Sequence, residues 1–114
     1  EEKLKGLTKT DKQLIKELHL LAKKTTKYLE SYKFSLAGES LYEFIWHTLA
    51  DIYLEESKRR LKNADPIVLS VLHYTLKTCL KLLHPFMPFV TEAIWQQMKD
   101  KTEPDLIVSP WPAI

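Results

Sequence analysis

Histidine, cysteine and closely spaced carboxylates are the usual building blocks of catalytic and metal sites, and this sequence arranges few of them. It contains four histidines and one cysteine, Cys79. No His-Glu-x-x-His, Glu-x-x-His or paired-cysteine spacing occurs, which argues against a zinc site or a di-iron site within a helical bundle. No Gly-x-Ser-x-Gly or similar nucleophile frame is present either. We therefore predict a binding function with no catalytic residue, metal or cofactor in these residues. His73 and His84 are interpreted as hydrogen-bonded structural residues, and Cys79 as a buried small hydrophobe.

One group of titratable side chains keeps an enzyme site open as an alternative. Asp51 and Glu55 are four residues apart, which places them on one face of a helix, and His47 lies one turn before Asp51. Such a group could share a proton or bind a cation. We favour solvated surface charges, because Lys58 or Arg59 follows Glu55 by about one turn and can pair with it.

Basic side chains offer a second kind of chemistry, because lysine and arginine neutralise the phosphates of nucleic acids. The net charge is +2, but residues 1–33 carry +4 and residues 34–114 carry −2. Two clusters are candidate RNA-binding residues: Lys23, Lys24 and Lys27 in the first predicted helix, and Lys58, Arg59, Arg60 and Lys62 at the end of the second. The alternative is that the first cluster coats a helix surface and the second complements the helix dipole.

Aromatic side chains could add base stacking to such an interface. Of the three tryptophans, Trp46 lies in an apolar helical stripe and is predicted to be core. Trp111 lies in the irregular C-terminal part and is the most accessible candidate.

The elements that carry these residues are predicted to be four helices. Apolar residues recur every three or four positions, and Asp65-Pro66 has the form of a helix start. The predicted helices run from about Asp11 to Tyr32, Ala37 to Leu61, Pro66 to His84 and Pro88 to Lys99. The fold class is all-α: an antiparallel bundle of four helices with a short extended C-terminal tail. Residues 1–114 form one domain, with a lead-in at 1–10, the bundle at 11–99 and the tail at 100–114.

The apolar stripes also predict which side chains are buried. In the second helix they are Leu41, Tyr42, Ile45, Trp46, Leu49, Ile52 and Tyr53. In the fourth helix they are Phe89, Val90, Ala93, Ile94 and Met98, and Leu106 to Val108 is predicted to dock as a short extended piece.

Composition narrows the class and compartment. Only two glycines occur, which argues against an all-β fold. A lone cysteine allows no intrachain disulfide and favours a reducing compartment. We see no signal peptide and no apolar run near the roughly 20 residues that span a membrane. These features predict a cytoplasmic protein without a membrane partner.

Two stretches resemble a known family. They are LYEFIWHTLADIYLEESK, from Leu41 to Lys58, and LHPFMPFVTEAIWQ, from Leu83 to Gln96. Both are similar to the helical anticodon-binding domain of the class I aminoacyl-tRNA synthetases for valine, isoleucine and leucine, and most similar to the valine-specific members. The ending LIVSPWP, from Leu106 to Pro112, resembles the short strand and Pro-rich end of that domain, which implies that Trp111 docks. The resemblance covers about residues 11–112.

The resemblance implies a function in translation. It implies that the chain is a piece of a larger synthetase and binds the anticodon arm of tRNA for valine, beside the catalytic domain of the same chain. ATP and amino acid chemistry would lie elsewhere, because the HIGH and KMSKS signatures are absent here. The family's earlier helix, with an Asn-Lys-Leu-Trp-Asn-Ala-like motif, also has no counterpart. Two departures are Lys12-Gln13, where the family often has Arg-Trp, and Leu49 to Tyr53, where it often has Phe-Cys-Asp-Trp-Tyr.

The alternative is a free-standing helical protein–protein interaction module derived from such a domain. It predicts an exposed apolar patch, no RNA binding and weak dependence on salt.

Overall fold

The computed structural model describes residues 9–63 and 65–112, with the backbone alone at 60 and 61. Its helices occur in the regions where the apolar periodicity predicts them. They are α1 Lys9–Glu30, α2 Phe34–Glu43, a π-helical segment Phe44–Leu54, α3 Lys58–Lys62, α4 Pro66–Leu83 and α5 Pro88–Met98. A 3₁₀ turn, Leu106–Val108, follows in the tail. No strand occurs in the described part, and the predicted all-α fold is confirmed. Residues 1–8 of the predicted lead-in lie outside the described residues, while Lys9 and Thr10 already belong to α1.

The breaks between helices have local causes. Tyr32 adopts a left-handed backbone with φ of 60°. This lets the Lys33 amide donate to the Tyr28 carbonyl at 2.8 Å and the Tyr32 amide to Leu29 at 3.1 Å, the pattern of a Schellman motif. At the start of α4, the Asp65 carboxylate accepts a hydrogen bond from the Ile67 amide at 2.8 Å, as an N-cap before proline should. The chain therefore turns sharply at both places.

The core is built around α4, which contacts α1, α2, α3 and α5. Leu18, Leu41, Val68 and Leu82 are fully buried. This helix therefore lies between its neighbours. Among the described residues α4 alone has the length and apolar composition to cross a membrane, a property that core helices of soluble proteins share.

The second predicted helix, from Ala37 to Leu61, is not continuous, because a turn at Ser57 separates α3 from the helical run before it. It begins at Phe34, three residues before the predicted Ala37, and its middle is π-helical. The prediction that Tyr42, Trp46 and Ile52 are core is wrong, since they are 60%, 56% and 55% exposed. Trp46 and Ile52 lie in the π-helical segment, whose hydrogen bonds close from residue i to i+5, so positions counted at 3.6 residues per turn no longer face the core there. Tyr42 precedes this segment in α2, and the π-helix does not explain its exposure.

The residues that face the core from this segment are spaced more widely. Leu41, Phe44, Leu49 and Tyr53 are buried, and the last three are separated by five and four residues. The exposed Tyr42 and Trp46 rings lie beside each other on the outer surface, with centroids 6.2 Å apart.

The predicted burial of the α5 apolar stripe is also wrong. Phe89 is 89% exposed, and Val90, Ala93 and Ile94 are exposed as well. Instead, α5 packs through Thr91 and Trp95, while Met98 is half-buried. In the described part of the chain, only one side of α5 is covered by other elements. The apolar residues of α5 occur on both sides of the helix, so their pattern does not predict which side faces the core.

A buried polar contact fixes the start of α1 against the π-helical segment. The Tyr53 hydroxyl donates a hydrogen bond of 2.6 Å to Oδ1 of Asp11, and both residues are almost completely buried. Hydrogen bonds to a carboxylate are short and strong compared with those between neutral groups. This contact joins residues that are 42 positions apart and sets the two antiparallel elements in register.

We predict that Tyr53→Phe destabilises the fold by about 1.5–3 kcal/mol, the usual worth of a hydrogen bond to a charged group. Urea unfolding followed by far-UV circular dichroism measures the change. Tyr42→Phe is the matched control, because that ring is exposed, and its effect should stay within about 0.5 kcal/mol. Equal effects of the two substitutions would contradict the role of the Asp11 contact.

Candidate nucleic-acid interface

The first basic cluster lies on the outer face of the second half of α1. Lys23, Lys24 and Lys27 are all exposed. The Lys24 ammonium lies 5.9 Å from the centroid of the Tyr28 ring. Among the described residues, no carboxylate forms an ion pair with any of these three lysines. Their charge is therefore available to an external anion.

The end of the tail lies beside this cluster. The Trp111 indole Nε1 donates a hydrogen bond of 2.6 Å to the Thr26 hydroxyl, which in turn donates to the Ala22 carbonyl at 2.8 Å. Trp111 is partly buried and also packs on the main core. The docking of Trp111 that the resemblance implied is confirmed.

An open groove of about 530 Å³ lies between α1 and the docked tail. Its lining consists of Ala22, Lys23, Thr26, Lys27, Glu30, Trp111 and Pro112. The sequence analysis missed Thr26 and Glu30 as members of this site. No local pattern signals them, because their partners in the groove lie about 85 residues later in the chain.

The second basic cluster lies on α3. Lys58, Arg59 and Lys62 are exposed, and the side chain of Arg60 lies outside the described residues. The Lys58 ammonium is 3.0 Å from Oε1 of Glu55, so part of its charge is already neutralised. The predicted pairing of Glu55 with Lys58 is thereby confirmed.

The structure does not bring the two clusters together. Tyr53 contacts Asp11 near the start of α1, and α3 begins five residues after Tyr53. Lys24 is 13 residues further along α1 than Asp11, or about 20 Å at the helical rise of ~1.5 Å per residue. The chain that leads to α3 thus contacts the end of α1 that is opposite to the first cluster.

The possible enzyme group around His47 is a set of solvated charges. The imidazole lies between two carboxylates, 3.7 Å from Glu43 and 3.4 Å from Asp51, and all three side chains are more than half exposed. Glu55 pairs with Lys58 instead of sharing a proton with Asp51. Within the described ranges, no three His, Cys, Asp or Glu side chains are arranged to hold a metal ion.

The remaining titratable candidates have structural roles, as predicted. The His73 ring hydrogen-bonds to the Met98 carbonyl at 3.3 Å. Nδ1 of His84 lies 2.9 Å from the Thr91 hydroxyl, which donates to the Met87 carbonyl and so accepts from the histidine. Cys79 is buried, and burial raises the pKa of its thiol to about 12. A thiol with that pKa stays protonated and unreactive at neutral pH.

The tail is held to α5 by a carboxylate. Glu92 accepts hydrogen bonds from the Leu106 and Ile107 amides, both at 3.1 Å, and from the Gln96 side chain at 2.9 Å. Leu106 is buried against Leu80 and Trp95. The predicted docking of Leu106 to Val108 is confirmed, but its predicted extended conformation is wrong. The segment is a 3₁₀ turn, which lets two successive amides point at one carboxylate.

A second set of contacts fixes residues 100–105 below this turn. The Trp95 indole donates to the Pro104 carbonyl at 2.9 Å, and Lys77 forms an ion pair with Glu103. The Asp100 carboxylate accepts from the Thr102 amide at 2.9 Å and from the Glu103 amide at 3.2 Å. The tail is therefore a packed element that carries Trp111 back to α1.

Four carboxylates of this region have pKa values below their ordinary ones. Desolvation works to raise the pKa of Glu92, but the hydrogen bonds from Gln96, Leu106 and Ile107 together outweigh it. Hydrogen bonds from Thr102 lower the pKa of Asp100, and the hydrogen bond from Lys77 lowers that of Glu103. Hydrogen bonds from Gln96 and then Lys99 lower the pKa of Asp105.

We predict that acid releases the tail. Since the folded pKa of Glu92 lies below its ordinary value of 4.5, its stabilising contribution is present above about pH 4.5 and is lost as pH falls through the folded pKa. The Leu106 and Ile107 amide resonances in an NMR titration should shift with a midpoint below pH 4.5, whereas the Val71 amide in α4 should not follow them. A midpoint at or above 4.5 would count against the Glu92 contacts.

Comparison with known proteins identifies the family. A family model described as the anticodon-binding domain of tRNA ligase matches residues 11–114, and the chain belongs to this family. It is 40% identical to a valine–tRNA ligase of Fervidobacterium nodosum, over 98% of the chain and 13% of the relative. It is 39% identical to that of Carboxydothermus hydrogenoformans, over 96% of the chain and 13% of the relative. The identity with the valine–tRNA ligase of a Nostoc species is 43%, over 82% of the chain and 10% of the relative. The chain thus spans about an eighth of the length of the curated relatives it matches.

Proposed function

We propose that this chain is the tRNA anticodon-arm-binding domain of a class I aminoacyl-tRNA synthetase, valine–tRNA ligase. The observation that carries the proposal is the family match over residues 11–114, together with identities near 40% to valine–tRNA ligases along almost the whole chain. In this proposal the domain is a non-catalytic piece of a longer cytoplasmic enzyme. The ATP-dependent chemistry belongs to the catalytic domain of that longer chain.

The domain would act by holding one end of the tRNA so that the acceptor end reaches a distant active site. Phosphate contacts from lysine and arginine set the position of an RNA without reading its sequence, whereas unstacked bases are read by stacking and hydrogen bonds. The two basic clusters lie on different helices, α1 and α3. An RNA that contacts both must therefore touch the bundle at more than one point.

We predict that reversing the charge of the two clusters weakens tRNA binding. The variants are Lys23→Glu with Lys24→Glu and Lys27→Glu, and Lys58→Glu with Arg59→Glu, Arg60→Glu and Lys62→Glu. Each lost phosphate contact should reduce the slope of log affinity against log salt by about 0.7–0.9. Fluorescence anisotropy with labelled tRNA for valine, measured across a salt series, gives both the affinity and the slope.

The control for charge alone is Lys12→Glu with Lys16→Glu, on the exposed face of the first half of α1. If both cluster variants keep the affinity and the salt slope of the unaltered chain, the assigned RNA-binding residues are wrong. Parallel titrations with tRNA for isoleucine and for leucine test the valine assignment, because the proposal expects tighter binding of the valine tRNA.

One observation favours the second candidate, a free-standing protein–protein interaction module. It predicts an exposed apolar patch, and the outer face of α5 provides one in Phe89, Val90 and Ile94. The same salt series separates the two candidates. An interaction module should show no binding of tRNA, and its association with a protein partner should depend little on salt.

A further inference from the structure

The groove between α1 and the docked tail combines the two kinds of side chain that bind a nucleotide. The groove has a volume of about 530 Å³ and is open to solvent. Two lysines and one tryptophan line it, Lys23, Lys27 and Trp111. A phosphate needs cations, and a base needs an aromatic face.

The lysines are placed for one phosphate. Lys23 and Lys27 are four residues apart, so they are neighbours on the same face of α1. Both are exposed, and within the described residues neither forms an ion pair with a carboxylate. Glu30 lines the same groove at the end away from Lys23 and disfavours an anion there. The most favourable position for a phosphate is therefore between Lys23 and Lys27.

The tryptophan is held in place before any ligand arrives. The hydrogen bond of 2.6 Å from its Nε1 to Thr26 fixes the ring relative to α1, and Thr26 is itself bonded to the Ala22 carbonyl. The indole is only partly buried, and its free part belongs to the groove lining. A ring that is already ordered loses little conformational freedom when a base stacks on it.

The other exposed aromatic and basic groups do not combine in this way. Tyr42 and Trp46 form an aromatic pair, but Glu43 and Asp51 lie on the same segment and repel phosphate. Lys58 on α3 is paired with Glu55. A smaller cavity of about 180 Å³ also reaches Trp111, but its one lysine, Lys81, lies over the Trp95 ring at 5.7 Å from the centroid. Of these two cavities, the groove is the one in which two lysines accompany the ring.

We infer that this groove binds one unpaired nucleotide of the tRNA, with a phosphate between the Lys23 and Lys27 ammonium groups and the base stacked on Trp111. The inference rests on the proposed function and adds to it a particular site. The tail thereby has a direct part in RNA binding, because it supplies the stacking surface to a helix that supplies the charge.

The lysines are tested by Lys23→Gln with Lys27→Gln against Lys12→Gln with Lys16→Gln. Both pairs remove two exposed charges at the same spacing from the same helix, but only the first lines the groove. We expect the groove pair to weaken binding of full-length tRNA for valine about tenfold and to reduce the salt slope by about 0.7, the value for one phosphate contact to single-stranded RNA. The control pair should change the affinity less than about twofold, as expected when no phosphate contact is lost.

The stacking is tested by Trp111→Phe against Trp111→Leu. Both substitutions remove the hydrogen bond to Thr26, so their difference isolates the aromatic ring. Phenylalanine should keep most of the affinity, and leucine should bind about fivefold more weakly than phenylalanine, as loss of a stacked base implies. Thermal unfolding of both variants checks that they fold. The substitutions of Lys23 and Lys27 test the same groove by tRNA affinity without changing a packed residue, because both side chains are exposed.

The outcomes separate this site from the proposed function. If the unaltered chain does not bind tRNA, both are overturned. If it binds tRNA but the groove pair behaves like the control pair, the groove is not the site and the proposed function stands. If the groove pair weakens binding while Trp111→Phe and Trp111→Leu bind equally, the stacking on Trp111 is overturned.

Discussion

The helix α4 must bury apolar side chains on more than one side, and the positions of the other elements follow from that requirement. Val71, Cys79 and Leu82 face the cluster formed with α1 and α2. Leu80 faces a second, smaller cluster with Trp95 of α5 and Leu106 of the tail. Leaving either side in water would forfeit about 25 cal/mol for each Å² of apolar surface. The remaining helices and the tail therefore wrap α4.

The tail completes the structure because Leu106 covers the second cluster together with Trp95 of α5. Leu106 closes it from outside, and the turn that carries Leu106 satisfies two of its amides on Glu92. After this turn the chain runs back toward α1, where the Trp111 indole donates a hydrogen bond to the Thr26 hydroxyl. The packing of Leu106 in the second cluster thus helps to place Trp111 beside Thr26 on the lysine-rich face of α1, although the two residues are 85 positions apart in the sequence.

The sequence is sufficient to predict the helices, because their caps and apolar spacing are local properties. Asp65-Pro66 starts α4 as predicted, and the break after α1 falls where the apolar pattern stops. Burial was less predictable where the helix changes type. Trp46 lies on a stripe that is correct for 3.6 residues per turn, but the π-helical segment turns that stripe outward. Phe89 was misassigned for a different reason, since an apolar run does not say which side a neighbour will cover.

The candidate site was predictable only in part. Charge alone indicated Lys23, Lys24 and Lys27, and the family resemblance indicated that Trp111 docks. Neither indicated that Trp111 and two of those lysines line one groove, since that depends on the path of the tail. Thr26 is not part of a recognisable sequence motif. It belongs to the site because its hydroxyl accepts the hydrogen bond from the Trp111 indole.

Charge also decides which side of the bundle can face RNA. The stretch from Phe34 to Ser57 contains five acidic residues and no lysine or arginine, whereas α1 is rich in lysine. A polyanion that approaches the molecule is therefore attracted to α1 and repelled by α2 and the π-helical segment. The exposed Tyr42 and Trp46 lie on the repelled side, so their exposure fits a contact with protein better than one with RNA. The groove under Trp111 lies on the attracted side, where a phosphate that has been drawn in also finds an aromatic surface for its base.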